Sequence, residues 1–365
     1  MSRSLLPIIE TSDNFPSDFT SSYPASHPTT GEIYVPFHLS FTDYQANLAP
    51  VGLLRPAVVS ALRESEYEDD HLCPWSFYLD THRFNDDDEM DGILETAVRC
   101  VFFADWVLAG GSDLMGKVMR ETAERWRKDH LFPGPLGGWR DEAYMIYASP
   151  RSSFFSSEDS QPFSNAAFPL ERSACAVFGF ATFGVHMTAY EGQGDDMKIW
   201  VPRRSETKAT WPSKLDNSVA GGIPAGMKPI ESMIKECDEE ASLPADLVKK
   251  YIKNCGVVTY FYITDDGYLQ PEIEYVYDLK LPHRDDPSYV LPHPHDDEVE
   301  SFSLLTIPEV LAALHSGQFK PNCGLVLVDF LIRHGLVTPE DEPNFIEITW
   351  RMRRRLGVAV PSPSV

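Results

Sequence analysis

The chain has 365 residues, of which 43% are hydrophobic and 12% aromatic, with a formal net charge of −24. That length supports roughly two domains of about 100–200 residues each. The negative balance excludes the basic stripe of a nucleic-acid binder, and no run approaches the roughly 20 apolar residues of a membrane span.

At the N-terminus, Leu5-Leu6-Pro7-Ile8-Ile9 is short, broken by proline and followed by Glu10 and Asp13, so it does not read as a secretory signal. The first 30 residues hold one arginine and several acids, unlike a mitochondrial presequence, and the expected compartment is cytoplasmic. The six cysteines are scattered without a Cys-x-x-Cys pair, which points to reduced thiols rather than a zinc ribbon or a disulfide framework.

Residues 1–45, rich in Ser, Thr, Pro and Asp, read as a flexible N-terminal segment. Residues 46–168 read as an α-rich domain with a linker. Helical patterns run over Pro56–Leu62, Met90–Val98 and Leu114–Arg127, a strand is expected at Ala143–Ala148, and 149–168 is loop-like. Residues 169–342 change period. Val177–Thr188, Lys198–Val201, Val257–Thr264 and Ile273–Leu279 alternate or run in β-branched and aromatic residues, as strands do. Helices are expected at Ile230–Ala241, Pro308–Leu314 and Cys323–His334. The fold class is therefore α+β, a mixed sheet with helices on its faces beside a smaller α-rich domain. Residues 343–365, with four arginines from Arg351, read as a solvated or partner-binding basic tail.

The segment richest in chemistry runs from Gly221 to Leu243. Gly221, Gly222 and Gly226 allow a sharp loop and close approach of a ligand to backbone, and Pro229 suits a first helical position. On a helix, Glu236 and Glu240 lie about 40° apart and Glu239 about 60° to the other side, so three carboxylates share one arc. Like charges at i,i+4 repel by a few tenths of a kcal/mol. A hard divalent cation, Mg²⁺ or Mn²⁺, would reverse that cost, since Mg²⁺ is held by one or two carboxylates plus phosphates and waters. The bland alternative is a solvated acidic helix face, against which the preceding glycine loop speaks.

This segment resembles the Nudix box, G-x5-E-x7-R-E-U-x-E-E-x-G-U, with Gly221, Glu236, Glu239, Glu240 and Leu243 at matching places. It departs at Met227 for the first Glu, Lys235 for Arg and Ser242 for the second Gly. The resemblance implies a Nudix-type α/β/α sandwich, with Glu236, Glu239 and Glu240 as metal ligands, Glu236 also orienting water, and Lys235 as a tethering point cation. The flanks Gly184-Val185-His186, Trp200–Ser205, Trp211-Pro212, Leu215–Gly222 and Phe319–Cys323, with Gly138–Glu142 upstream, resemble the fungal and plant thiamine pyrophosphokinase-related Nudix proteins. That likeness implies hydrolysis of thiamine diphosphate, or of its oxidised derivatives, to the monophosphate and phosphate. Two other readings stay open, a Nudix hydrolase of nucleoside diphosphate derivatives and a catalytically weak Nudix-fold binding module, the latter favoured by Met227 and Lys235.

Around the box, Glu298 is a candidate further ligand or general base, and Arg203 and Arg204, with Lys208, are candidates to meet phosphate. Gly221 and Gly222 are expected to border the substrate. Glu272 and Glu274 face one side of a strand and could reach metal or substrate if that side faces the box. His293 and His295 read as surface residues of a Pro-rich loop. The expected partner is a small-molecule diphosphate, with no nucleic acid and no membrane; the sequence is silent on oligomeric state.

Overall fold

The computed structural model describes residues 3–16, 23–65, 72–81, 96–154 and 162–362. The chain divides into two units. One, here the C-terminal unit, comprises residues 1–17, 183–262 and 271–356, so that α1 (Leu6–Glu10) at the start of the chain belongs to it. The N-terminal unit comprises residues 18–182, 263–270 and 357–365.

Among the described residues, the N-terminal unit combines its helices with six strands, so it is a mixed α/β unit rather than one built of helices alone. β1 (Val35–Phe37), β2 (Gly52–Leu54), β3 (Trp75–Thr81) and β4 (Thr96–Phe103) form a sheet in the order β2-β1-β4-β3. Its β1–β4 pair is parallel, and β1–β2 and β3–β4 are antiparallel. β5 (Ala143–Tyr147) and β6 (Ala166–Glu171) form a separate antiparallel pair. The helix expected over Met90–Val98 is not found: Met90–Glu95 lies outside the described residues, and Thr96–Val98 opens β4. Val101 and Phe103, two apart on β4, are fully buried on the core side, a strand period that a short window of apolar residues hid.

The helices of this unit are α2 (Phe41–Gln45), α3 (Pro56–Arg63), α4 (Asp105–Ala109), α5 (Gly111–Lys128), α6 (Pro133–Leu136) and α7 (Arg172–Phe178). The longest, α5, buries Met115, Val118, Met119, Thr122, Ala123 and Trp126, the i, i+3, i+4, i+7 stripe that the sequence predicts.

The C-terminal unit is built on a six-stranded sheet. β7 (Thr182–Glu191), β8 (Lys198–Arg204), β9 (Val219–Gly222), β10 (Ile252–Ile263), β11 (Leu269–Lys280) and β12 (Val299–Thr306) run in the order β10-β11-β7-β8-β12, with β9 also paired to β7. α8 (Pro229–Ala241), α9 (Ala245–Tyr251), α10 (Ile307–His315), α11 (Pro321–Arg333) and α12 (Phe345–Arg351) complete it. Side chains alternate across β7. Met187 meets Cys237 of α8, Sγ to Sδ 3.7 Å, whereas the Tyr190 ring packs 5.4 Å from Phe330 of α11. One face therefore carries α8 and the other α11, an α/β/α sandwich.

The two ends of this unit are locked together, which corrects both the flexible N-terminal segment and the solvated tail. Asp13 is fully buried. It accepts from Arg354 Nη1 at 2.7 Å and from Phe261 N at 2.9 Å, while Arg354 also donates to the carbonyls of Phe15 and Pro16. Arg353 pairs with Asp329 at 2.6 Å and Arg351 with Glu347 at 2.7 Å. Arg353 and Arg354 thus find acids 24 and 341 positions away, and Arg351 finds one a helical turn back. Beyond them, within the N-terminal unit, Ser362 N donates to Asn165 and Ala359 N to the Pro50 carbonyl.

Removing one partner of a buried ion pair leaves an uncompensated charge and costs about 3–5 kcal/mol. Asp13→Ala is therefore expected to lower the unfolding free energy of this unit by that amount in urea titration. A loss below about 0.5 kcal/mol, the range of exposed pairs, would show that the lock contributes nothing.

Candidate functional site

The loop that leads into α8 is shaped by its glycines and by short-range bonds. Met227 N donates to Pro224 O at 3.1 Å, with Gly226 at φ +85°, and Pro229 opens the helix. Glu231 accepts from Lys228 N at 3.1 Å, so an acid in the first turn satisfies one orphan donor of the helix start. Ser232 ties the helix back to the Gly222 carbonyl at 2.9 Å. At the other end Ser242 takes the left-handed conformation, φ +55°, which is why glycine is favoured at this place.

The carboxylates then fall into position against β9. Glu236 lies flat on Gly221, where a β-carbon would stand 2.3 Å from its Cδ. Glu240 is buried and accepts from Ala220 N at 3.0 Å. Glu239 points outward, and Lys235 Nζ bridges it at 2.5 Å to Glu236 at 3.4 Å. From the segment before β12, Glu298 arrives ion-paired with Lys208. Burial raises Glu236; Lys235 opposes that, and the charges of Glu239 and Glu298 add to it. Burial also raises Glu240, to about 8, with Asp216 adding to the effect and the Ala220 N–H and Lys208 opposing it. Glu236, Glu240, Glu298 and Lys208 therefore share one electrostatic neighbourhood. Among the described residues, no three His, Cys, Asp or Glu side chains stand close enough to hold a metal ion by themselves.

The two arginines expected to meet phosphate are engaged elsewhere. Arg204 is buried, paired with Asp216 at 2.6 Å and donating to the carbonyls of Thr210 and Trp211. Arg203 donates to Ser213 O at 2.8 Å. Both hold the loop between β8 and β9, because β8 ends where that loop turns back and its carbonyls need donors. Lys208, carried by the same loop, is the basic residue of the three that reaches the carboxylates. His293 and His295 pack on the end of α8, His293 N donating to Ala241 O and His295 Nδ1 lying 2.8 Å from Asp238 O.

Glu272 and Glu274 face away from α8. Gly184 pairs with Gly222 and Val185 with Gly221; paired residues share a face and neighbours alternate. A β-carbon on Gly221 would strike Glu236, so one on Gly184 points to the α11 face, where it would stand 2.2 Å from Glu274 Oε2. There Tyr260, His186, Asn217 and Asn322 surround the two acids. The sequence had marked His186, Asn217 and Asn322 only as parts of flanking motifs, and Tyr260 not at all.

Residues 182–323 match the family model of the NUDIX domain. An uncharacterised protein of Saccharomyces cerevisiae is 40% identical over 231 residues, 60% of this chain and 62% of that protein. The chloroplastic Nudix hydrolase 20 of Arabidopsis thaliana is 34% identical over 223 residues, 61% of this chain and 54% of that protein. The chain thus spans less than two thirds of the length of either relative. A C. elegans Ap4A hydrolase structure aligns with 43% of this chain and 99% of its own at 13% identity, with a TM-score of 0.31.

A carboxyl whose pKa is raised in the fold binds its proton more tightly there than in the unfolded chain. Its stabilising effect is full below the unfolded value and is lost as pH rises through the folded value. For Glu240 that window runs from the ordinary glutamate value of 4.5 to about 8. Metal-free protein is expected to lose stability relative to Glu240→Gln across this window, by up to about 1.4 kcal/mol per pH unit. Parallel denaturant midpoints at pH 5, 6.5 and 8 measure it, and two superimposable pH profiles would contradict the raised pKa.

Proposed function

We propose that this chain is a divalent-metal-dependent hydrolase that cleaves the phosphoanhydride of a small organic diphosphate, thiamine diphosphate or an oxidised derivative, to the monophosphate and phosphate. The observation that carries this reading is the gathering of Glu236 and Glu240 over the bare backbone of Ala220 and Gly221, with Glu298 and Lys208 brought to the same place by another segment. The family of residues 182–323 supports the hydrolase reading, and the flanking motifs support thiamine diphosphate. No helix among the described residues is long and apolar enough to cross a membrane.

The donor set fits Mg²⁺ or Mn²⁺. Hard carboxylate oxygens suit both ions, and two carboxylates suffice because the substrate's phosphates and waters complete the coordination. Burial and mutual repulsion hold up the pKa of Glu236 and Glu240, a cost that a cation removes. Such an ion, when bound, lowers the pKa of a water and offsets charge on the phosphate oxygens.

The chain's own groups do the remaining work. Glu236 and Glu240 would hold the ion, with Glu239 completing the face from its outer edge. Glu298 stands ready to take the proton of the attacking water, with Lys208 ion-paired to it. Lys235 and Lys208 supply positive charge to the departing phosphate, as point charges rather than planar forks. Gly221 and Gly222 leave room for the diphosphate against the strand. Positioning and electrostatics dominate such a transfer.

The test is a phosphate-release screen with Mg²⁺ and Mn²⁺ over thiamine diphosphate, oxothiamine diphosphate, ADP-ribose and nucleoside diphosphates. Turnover of a thiamine diphosphate is expected, abolished by chelation and lowered about 100-fold or more by Glu239→Gln or Glu240→Gln. Full activity in both variants sinks the hydrolase mechanism, and preference for a nucleotide sinks the substrate. Lys235 already neutralises two of the carboxylates, which favours the weak-module alternative. A silent wild type that gains turnover with Met227→Glu and Lys235→Arg would establish it.

A further inference from the structure

Residues 281–298 join β11 to β12 without forming an element of their own, a length at which a loop inside a compact unit is uncommon and most often functional. The loop is fastened near its start to the end of β7. Glu191 accepts from Arg284 Nε at 3.0 Å and Tyr289 Oη at 2.8 Å, and also from Trp200 Nε1 of β8 at 2.9 Å. In its middle, Ser288 Oγ lies 3.1 Å from Tyr251 Oη at the end of α9. Its final residues are the part that meets α8.

Two donors of the loop complete the C-terminal end of that helix. His293 N donates to Ala241 O at 3.2 Å, and His295 Nδ1 lies 2.8 Å from Asp238 O. A carbonyl only accepts, so His295 Nδ1 carries the hydrogen and donates. The last four carbonyls of a helix lack N–H partners further along it, and here an exposed imidazole from a distant segment supplies a donor. Glu298 follows three residues later. The path between them is folded and tied: Asp296 Oδ1 accepts from Glu298 N at 2.9 Å, and Glu298 O accepts from Ser205 N at 2.9 Å. Three residues of extended chain span at most about 10 Å, so the fastening at His295 limits where Glu298 stands relative to the carboxylates of α8.

We propose that His295 is a positioning residue for Glu298: its bond to the Asp238 carbonyl fastens the segment that carries Glu298 to the helix that carries the proposed metal ligands. The proposal rests on the hydrolase reading for what Glu298 does, and on the geometry of the loop for how it is held. α8 does not depend on this bond. Ser232 donates to Gly222 O at 2.9 Å, Ala220 N donates to Glu240 at 3.0 Å, and Met233 and Cys237 are fully buried beneath the helix. Ser242 N also donates to the Asp238 carbonyl, at 3.2 Å. Losing the imidazole therefore frees the arm and leaves the helix in place. A proton acceptor works only within about 2.6–3.2 Å of its partner, and a misplacement of about 1 Å can cost about 100-fold, so the effect falls on kcat.

The test uses the full chain, with thermal melts confirming that each variant is folded. On the diphosphate that wild type hydrolyses fastest, His295→Ala is expected to lower kcat about tenfold. KM and the Mg²⁺ concentration for half-maximal rate should stay within about twofold. His295→Asn, whose Nδ2 can donate to the same carbonyl, should return kcat to within about threefold of wild type. Glu298→Gln alone should lower kcat about 100-fold. In that background His295→Ala should change kcat by less than about twofold, because the arm then has no acceptor to position. In metal-free protein, amide exchange at Ser205, His293 and Glu298 should rise at least about threefold in His295→Ala, with α11 unchanged.

The proposal is overturned if His295→Ala keeps kcat within about twofold of wild type, or if His295→Asn is no better than His295→Ala. It is also overturned if His295→Ala lowers kcat by the same factor with and without Glu298→Gln, as a general loosening of the unit would. Unchanged exchange at the three amides overturns it whatever the activity. Should exchange rise as expected while no diphosphate is hydrolysed, the hydrolase reading fails and the fastening of Glu298 by His295 stands.

Discussion

Two adjacent stretches of bare backbone carry the rest of the C-terminal unit's chemistry. At Gly221 the Glu236 carboxyl presses on the α8 face of the sheet, and at Gly184 the Glu274 carboxyl presses on the α11 face. Antiparallel pairing of β7 with β9 makes these glycines neighbours while alternation sends their absent side chains to opposite sides. Any β-carbon at either position would have to displace an acid that is itself held, Glu236 by Lys235 and Glu274 by Tyr260. The glycines thus act through the space they leave, and the register of one short strand pair fixes which acid occupies which face.

A protein this acidic must place its cations selectively, and the placement separates structural acids from chemical ones. Asp13 is met by Arg354, Asp329 by Arg333 and Arg353, Asp278 by Arg333 and His334, and Asp216 by Arg204. Each buried acid in these sets is given a guanidinium, the residue that suits bidentate pairing in low dielectric. On the α8 face the proportion reverses. Glu236, Glu239, Glu240 and Glu298 share two ammonium groups, Lys235 and Lys208. Local surplus of negative charge in a half-buried place is unfavourable unless a cation visits it, so the surplus marks this face as a place for a ligand rather than a lock.

What the sequence made legible follows from the range of the forces involved. Amphipathic periodicity is local, and α5, α8 and α11 lie where it placed them. The three-carboxylate arc of α8 is a property of one helix and was equally readable. Its division into a buried Glu240, an intermediate Glu236 and an outward Glu239 depends on how β9 lies against the helix, which no spacing encodes. Arg203 and Arg204 have the chemistry of phosphate ligands, and only the return of the 205–214 loop shows that carbonyls claim them first. The same holds for Asp13 and Arg354, whose pairing spans 341 positions. Glu272 and Glu274 were legible as a same-face pair; which face they share was set by register elsewhere.

The departures from the box can be weighed in the same terms. Ser242 occupies a left-handed position that glycine adopts freely, so its effect falls on the stability of the helix end and leaves the carboxylates in place. Met227 removes an acid from the loop, but Glu231 satisfies a backbone donor of the same turn from inside the helix. Lys235 is the departure that touches the chemistry. An arginine could grip two carboxylates with a rigid fork and hold them against a visiting ion. Lysine holds Glu236 and Glu239 through one compact, strongly hydrated charge on a flexible stem. On the proposed reading, a divalent cation that took the carboxylates would release that charge for the phosphate. The substitution therefore loosens the resting site while keeping its positive charge within reach of the reaction.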